Sequence, residues 1–200
     1  MLVDGPAGAI DVALNDPGAA RRGLALVAHP HPLQGGTRDN KVVTTLARAY
    51  FSLGYSVARP NFRGVGGTAG RYDEGVGETE DLVVVAGYLK QRFGELPLIL
   101  AGFSFGSFVQ TRVARRVPVE RLALIAPAVN RFDPEPVRED TLVVHGDEDD
   151  VVPLGAVLAW AKPQHLPIVV VPGAEHFFHG RLTQLQRIVL HWYRGHRTET

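Results

Sequence analysis

The chain has no cysteine among its 200 residues, which removes disulfides, thiolate nucleophiles and thiolate-ligated zinc or iron–sulfur centres from its available chemistry. It also lacks an excess of either charge. Its 21 basic and 21 acidic side chains leave a formal net charge of zero, so no global field gathers nucleic acid or an anionic membrane. Long apolar runs are missing too: Leu24 to Ala28, Leu82 to Val85 and Leu98 to Ala101 fall far short of the ~20 residues needed to cross a bilayer. The opening Met1-Leu2-Val3-Asp4-Gly5-Pro6 carries an acid at position 4 and no apolar stretch of the signal-peptide kind. A cytoplasmic protein with no nucleic-acid or membrane partner is therefore expected; nothing in the sequence bears on oligomeric state. What is present is ordinary: 45% hydrophobic and 21% charged residues, the composition of one globular domain spanning residues 1–200. Serine, carboxylate and histidine must carry any chemistry.

Short runs rich in Val, Leu and Ile recur between stretches of helical period, the pattern of buried parallel strands joined by crossover helices. Strands are predicted at Ala9 to Leu14, Leu24 to His29, Ser56 to Asn61, Pro97 to Phe103, Arg121 to Ile125, Thr141 to His145 and Ile168 to Val171. Three apolar stripes define helices: Val42, Val43, Leu46, Tyr50 and Leu53; Leu82, Val85, Leu89 and Phe93; and Leu182, Leu185, Ile188, Val189 and Trp192. Further helices are expected after Gly106 and after Pro153. Gly64 to Gly77 reads as a long surface loop. It superficially matches a dinucleotide-binding fingerprint, but Gly70, Gly75 and Gly77 delay the following helix to about Glu78, where the fingerprint requires it to begin at once.

Gly102-Phe103-Ser104-Phe105-Gly106 follows an apolar strand and precedes a helical stretch, the context a Gly-x-Ser-x-Gly nucleophile elbow requires. The sharp turn strains the serine backbone, and the glycines let strand and helix close around it. Serine needs a base, itself oriented by a carboxylate, so the elbow predicts an acid and then a histidine further along the chain. Both follow in that order: the acidic run Asp147-Glu148-Asp149-Asp150 after one strand, and His176 and His179 after the next. The N–H of Phe105 at the helix start is a candidate oxyanion donor.

With these motifs the chain resembles small, lidless members of the α/β-hydrolase superfamily, close to the dienelactone-hydrolase-like and predicted bacterial hydrolases. His29-Pro30-His31-Pro32-Leu33-Gln34-Gly35-Gly36-Thr37, Asn40-Lys41-Val42-Val43 and Asn61-Phe62-Arg63-Gly64-Val65-Gly66 resemble that group's first loop, first helix and next strand end. The resemblance implies a mostly parallel sheet with helices on both faces, three layers, and no cap domain. The pattern His-Gly-x-x-Asp-x-x-Val-Pro falls on His145, Gly146, Asp149, Val152 and Pro153, which implies Asp149 as the acid, with Asp150 the rival and Asp147 and Glu148 as solvated charges. It implies His176 as the base over His179. The second oxyanion donor is implied to be the backbone N–H of His31, with Leu33 as alternative because Pro30 and Pro32 have none. His29 and His145 are read as structural.

The expected activity is that of a serine hydrolase, a carboxylesterase acting on small short-acyl esters through Ser104, His176 and Asp149. Lactones, thioesters and small amides share the chemistry and stay open. Phe103 and Phe105 are expected to bound the acyl pocket. Arg131 and Arg138 are read as solvated arginines, with contact to an acidic substrate as the alternative. No cofactor is indicated. A metal hydrolase built from His29, His31, the 147–150 run and His176 or His179 is the rival enzyme reading, although it leaves the elbow without purpose. A non-catalytic binding module on this fold is the rival of another class.

Overall fold

Each predicted strand forms, and the reason is visible in how the runs are buried. The computed structural model describes residues 1–195. Its sheet contains β1 (Leu2–Gly5), β2 (Gly8–Asn15), β3 (Gly23–Ala28), β4 (Tyr55–Pro60), β5 (Leu98–Phe103), β6 (Arg121–Ile125), β7 (Leu142–Gly146) and β8 (Ile168–Val171) in the order β1-β2-β4-β3-β5-β6-β7-β8. The β1–β2 and β2–β4 pairs are antiparallel, and β4, β3, β5, β6, β7 and β8 run parallel. Successive residues of β3 go to opposite faces: Ala25 and Val27 join one core, Leu24, Leu26 and Ala28 the other. Both faces are covered, so the central strands carry unbroken apolar runs rather than alternation.

The first face is covered by α1 (Lys41–Ser52) and α5 (Leu182–Gly195), the second by α2 (Val76–Phe93) and α3 (Phe105–Ala114). A smaller cluster forms beneath α4 (Leu154–Ala161), where Val157 meets Val143, Val152 and Ala128. This is the three-layered arrangement the resemblance implies. No helix lies in the connection from β6 to β7, and there is no separate cap domain among the described residues. No helix among the described residues is long and apolar enough to cross a membrane.

Two local features differ from expectation. The strand β1 is an addition: it has four residues, of which only Val3 is buried, so it shows neither an apolar run nor alternation. It forms because Pro6 and Ala7 turn the chain back and pair Gly5 with Gly8. The second is the start of α2, at Val76 instead of about Glu78. The buried Glu78 carboxylate accepts the N–H groups of Gly75 at 2.8 Å and Asp73 at 2.9 Å and so caps the helix from within. Residues of the preceding loop are held to the edge of the sheet, Thr68 Oγ1 accepting the Asp11 N–H at 2.9 Å.

Candidate active site

The end of β5 meets α3 at Ser104, whose φ of 55° and ψ of −117° place a non-glycine residue in a strained region. Surrounding contacts hold it there. The Ser104 N–H donates to the Ile125 carbonyl at 2.9 Å, and its own carbonyl accepts from Ser107 N–H at 3.0 Å. The Ser107 hydroxyl donates to the Gly102 carbonyl at 2.7 Å and accepts the Ile125 N–H at 3.1 Å. Both glycines are demanded by space: a Cβ on Gly102 would lie 2.4 Å from the Gly106 carbonyl oxygen, and one on Gly106 would lie 2.5 Å from the carbonyl oxygens of Ala28 and His29. Those neighbours are backbone atoms of α3 and of the end of β3 and cannot swing away. Gly106→Ala is therefore expected to cost about 2–4 kcal/mol, read as a lower urea midpoint at unchanged slope. Wild-type stability in that variant would contradict the close approach.

The structure gathers Ser104, His176 and Asp149 from three strand ends. His176 Nε2 lies 3.1 Å from Ser104 Oγ, and His176 Nδ1 lies 2.7 Å from Asp149 Oδ2. All three residues are buried, at 7%, 3% and 6% exposure, so solvent screens the chain of bonds weakly. Burial works against the charged Asp149 carboxylate. The hydrogen bonds from His176 and from the Val152 N–H outweigh it and hold the carboxyl below its usual range. An ionised carboxylate only accepts, so Nδ1 of His176 carries the proton and Nε2 is left to accept from the serine. Asp149 Oδ1 takes the N–H groups of Val151 and Val152 at 2.9 and 2.7 Å.

The rival residues lie apart from this chain. Asp150 is exposed, and His179 pairs with Glu175 at 3.1 Å on the surface. Asp147 and Glu148 are exposed, as read, and both also tie their loop to its neighbour. Asp147 Oδ1 accepts the Gly173 N–H at 2.6 Å, and beside it the Glu148 N–H donates to the Ala174 carbonyl at 3.1 Å, so the loop bearing Asp149 is stitched to the loop bearing His176. A Cβ on Gly146 would come within 2.1 Å of that same carbonyl oxygen, which shows how closely the loops approach.

Of the implied oxyanion donors, the N–H groups of Phe105 and His31 have no acceptor among the described residues. Leu33 differs: its N–H is turned onto His31 Nδ1 at 3.3 Å, and its side chain is exposed. A cleft of about 100 Å³ opens at Ser104, lined by Pro30, His31, Gln34, Val151, His176 and Phe177 among others. Phe103 and Phe105 do not line it. Phe103 packs beneath the His176 ring with centroids 5.0 Å apart, and Phe105 joins Phe62, Tyr72, Phe108 and Phe132 on the other face of the sheet. Sequence reasoning missed Val151 and Phe177, neighbours of the acid loop and the base, because they carry no polar signature. A larger cavity of about 550 Å³ lies near the starts of β6 and β7, at the opposite end of the sheet from Ser104.

Arg138 is far from the cleft, held by Asp140 at 2.8 Å and by the Glu120 carbonyl at 2.9 Å. Arg131 is exposed, and its charge, after burial, contributes to lowering the pKa of His31. The residues of the rival metal reading are not gathered: among the described residues no group of three or more His, Asp or Glu could hold an ion. His29 is a structural histidine. Its Nδ1 donates to the Pro30 carbonyl at 2.7 Å, and Nε2 accepts the Phe62 N–H at 2.8 Å.

That arrangement accommodates only neutral imidazole. Burial lowers the His29 pKa from 6.5 to about 4, the Pro30 carbonyl pulling the other way. Because the folded value lies below the unfolded one, the stabilisation is complete above about pH 6.5 and is lost as pH falls toward about 4, where the unfolded chain binds the extra proton. The loss amounts to roughly 3 kcal/mol across that window. In His29→Gln the slope of unfolding free energy against pH between those limits is expected to flatten; an unchanged slope would assign the acid lability elsewhere.

The family described as "Serine aminopeptidase, S33" matches residues 33–139, a span that contains Ser104 and ends before Asp149 and His176. An α/β serine hydrolase without a lid from Xanthomonas campestris is 39% identical, covers 100% of this chain and 95% of its own, and superposes with a TM-score of 0.93. An α/β serine hydrolase homologue from Coxiella burnetii is 40% identical over 95% of this chain and 94% of its own, with a TM-score of 0.86. An uncharacterized protein of Rickettsia prowazekii is 33% identical over 94% of this chain and 86% of its own length.

Proposed function

We propose, for a chain that belongs to the hydrolase family described as "Serine aminopeptidase, S33" and to the α/β-hydrolase superfamily, that its reaction is the hydrolysis of small, short-acyl carboxylic esters at Ser104. The observation that carries this reading is the buried run of hydrogen bonds from Ser104 Oγ to His176 Nε2 at 3.1 Å and from His176 Nδ1 to Asp149 at 2.7 Å. His176 takes the serine proton as Oγ attacks the carbonyl carbon, and Asp149 keeps the ring in the Nδ1–H tautomer and balances the imidazolium. The N–H groups of Phe105 and His31 receive the oxyanion. His176 then returns the proton to the leaving alcohol, and water, deprotonated by the same ring, releases the acid from the acyl-enzyme.

The cleft of about 100 Å³ is small beside the 300–1,000 Å³ typical of drug-sized ligands, which favours a short acyl group between Val151 and Phe177. Thioesters, lactones and small amides pass through the same tetrahedral intermediate, so the substrate panel includes them. The test is labelling with a fluorophosphonate, read by intact mass, on wild type and Ser104→Ala with and without chelator. One adduct on wild type alone, indifferent to chelator, is the expected result. No adduct on either protein returns the binding-module reading, and chelator-sensitive turnover without labelling returns the metal reading. Across p-nitrophenyl esters, kcat/KM is expected to be highest for acetate to butyrate; a maximum at palmitate contradicts the small cleft.

A further inference from the structure

The turn that carries Asp149 is held by one more buried side chain. His145, at the end of β7, is fully buried, and its Nε2 lies 2.8 Å from the carbonyl oxygen of Val152. A carbonyl only accepts, so Nε2 bears the hydrogen and the ring is the Nε2–H tautomer. Its Nδ1 is buried without a partner. Val152 is the pivot of the turn: its carbonyl is held by His145, and its N–H gives the shorter of the two bonds to Asp149 Oδ1, at 2.7 Å. His145 Nε2 is also 3.6 Å from Asp149 Oδ2, the oxygen that receives His176, too far for a hydrogen bond but close enough for its N–H dipole to act on that atom.

We infer that His145 is a positioning residue, whose Nε2–H, donated to Val152, pins the turn that aims the Asp149 carboxylate at His176. It touches no substrate and acts through two backbone bonds of one residue. The inference rests on the proposed role of Asp149 and His176. It also goes beyond the reading of His145 as structural, because a residue that only filled space would be replaceable by any ring of similar size. The titratable groups facing it are Asp149 on its own loop and His176 from the loop after β8. Burial, the largest influence, lowers the His145 pKa, and a proton on Nδ1 would find no acceptor, so the ring serves as a fixed neutral donor.

Three substitutions separate positioning from packing. His145→Gln can place an amide N–H near the Nε2 position, His145→Asn places it near Nδ1 where no acceptor lies, and His145→Phe keeps the ring without a donor. The asparagine and phenylalanine variants are expected to lose about 100-fold in kcat with KM within about twofold, the loss typical of a misplacement near 1 Å. The glutamine variant is expected to recover to within about tenfold of wild type. With a less well aimed counter-charge, the acid limb of the kcat profile moves to lower pH in the two impaired variants. Their downfield proton resonance from His176 Nδ1–H also moves upfield or broadens by exchange, while glutamine retains it. Equal losses in all three variants, or a wild-type resonance and pH profile in both asparagine and phenylalanine variants, overturns the inference. The resonance needs no substrate, so it remains readable if Ser104→Ala shows that ester hydrolysis is not the activity. Should the phenylalanine variant fail to fold, the glutamine–asparagine pair decides alone.

Discussion

Ser104→Ala is expected to lower kcat for p-nitrophenyl acetate by about four to six orders of magnitude while leaving the unfolding free energy within about 1 kcal/mol of wild type. The size follows from what is removed. With no Oγ, the proposed acyl-enzyme cannot form, and the proposed oxyanion donors, the N–H groups of Phe105 and His31, are left to assist a direct attack by water. The small effect on stability follows from the bonds that hold the elbow, which run from the Ser104 backbone to Ile125 and Ser107, while among the described residues the Oγ bonds only to His176. Alanine tolerates a φ of 55° about as poorly as serine, so the strain is unchanged. Steady-state kinetics with circular dichroism check both halves; a loss smaller than tenfold would remove Ser104 from the reaction.

The second large effect is expected of Asp149→Asn, at about 10⁴-fold in kcat. The reason lies in which oxygen is already engaged. Oδ1 accepts the N–H groups of Val151 and Val152, so the amide oxygen of an asparagine stays there and the NH2 group is turned toward His176. A donor in that place makes Nδ1 of His176 the acceptor and moves the ring hydrogen to Nε2, which can no longer take the serine proton. The variant should fold, bind substrate with similar KM and turn it over slowly at neutral pH. Turnover within tenfold of wild type would show that another carboxylate orients the base.

Much of this was legible in the residues alone, for physical reasons. Five of the seven predicted strands, β3 to β7, announced themselves because both faces of that parallel part of the sheet are covered, which leaves runs such as Leu98 to Ala101 without a polar break. The elbow was legible because its geometry admits nothing larger than glycine at 102 and 106. Strand β1 was not, since one buried side chain in four residues makes no pattern. Phe103 and Phe105 misled for a related reason: the chain reverses at Ser104, so its two neighbours in sequence are buried on opposite faces of the sheet and neither borders the cleft. Asp147 is the surface charge it was read as, but its bond to Gly173, like that of His145 to Val152, was not legible, because these partners are met only through the folded paths of the loops.

The stitching of the Asp149 and His176 loops has a consequence for how the protein breathes. The amides of Glu148 and Gly173 each bond across the gap between the loops, so neither can exchange with solvent deuterium unless the loops part. Because both bonds span the same gap, they should break in one opening event and show the same protection free energy, with the Val152 amide following them as Asp149 is released. Local melting of this corner would then dismantle the arrangement of acid and base together while β5 and Ser104, anchored in the centre of the sheet, stay in place. Moderate heat or denaturant should produce a population that is folded by every global probe yet slow to react with a fluorophosphonate.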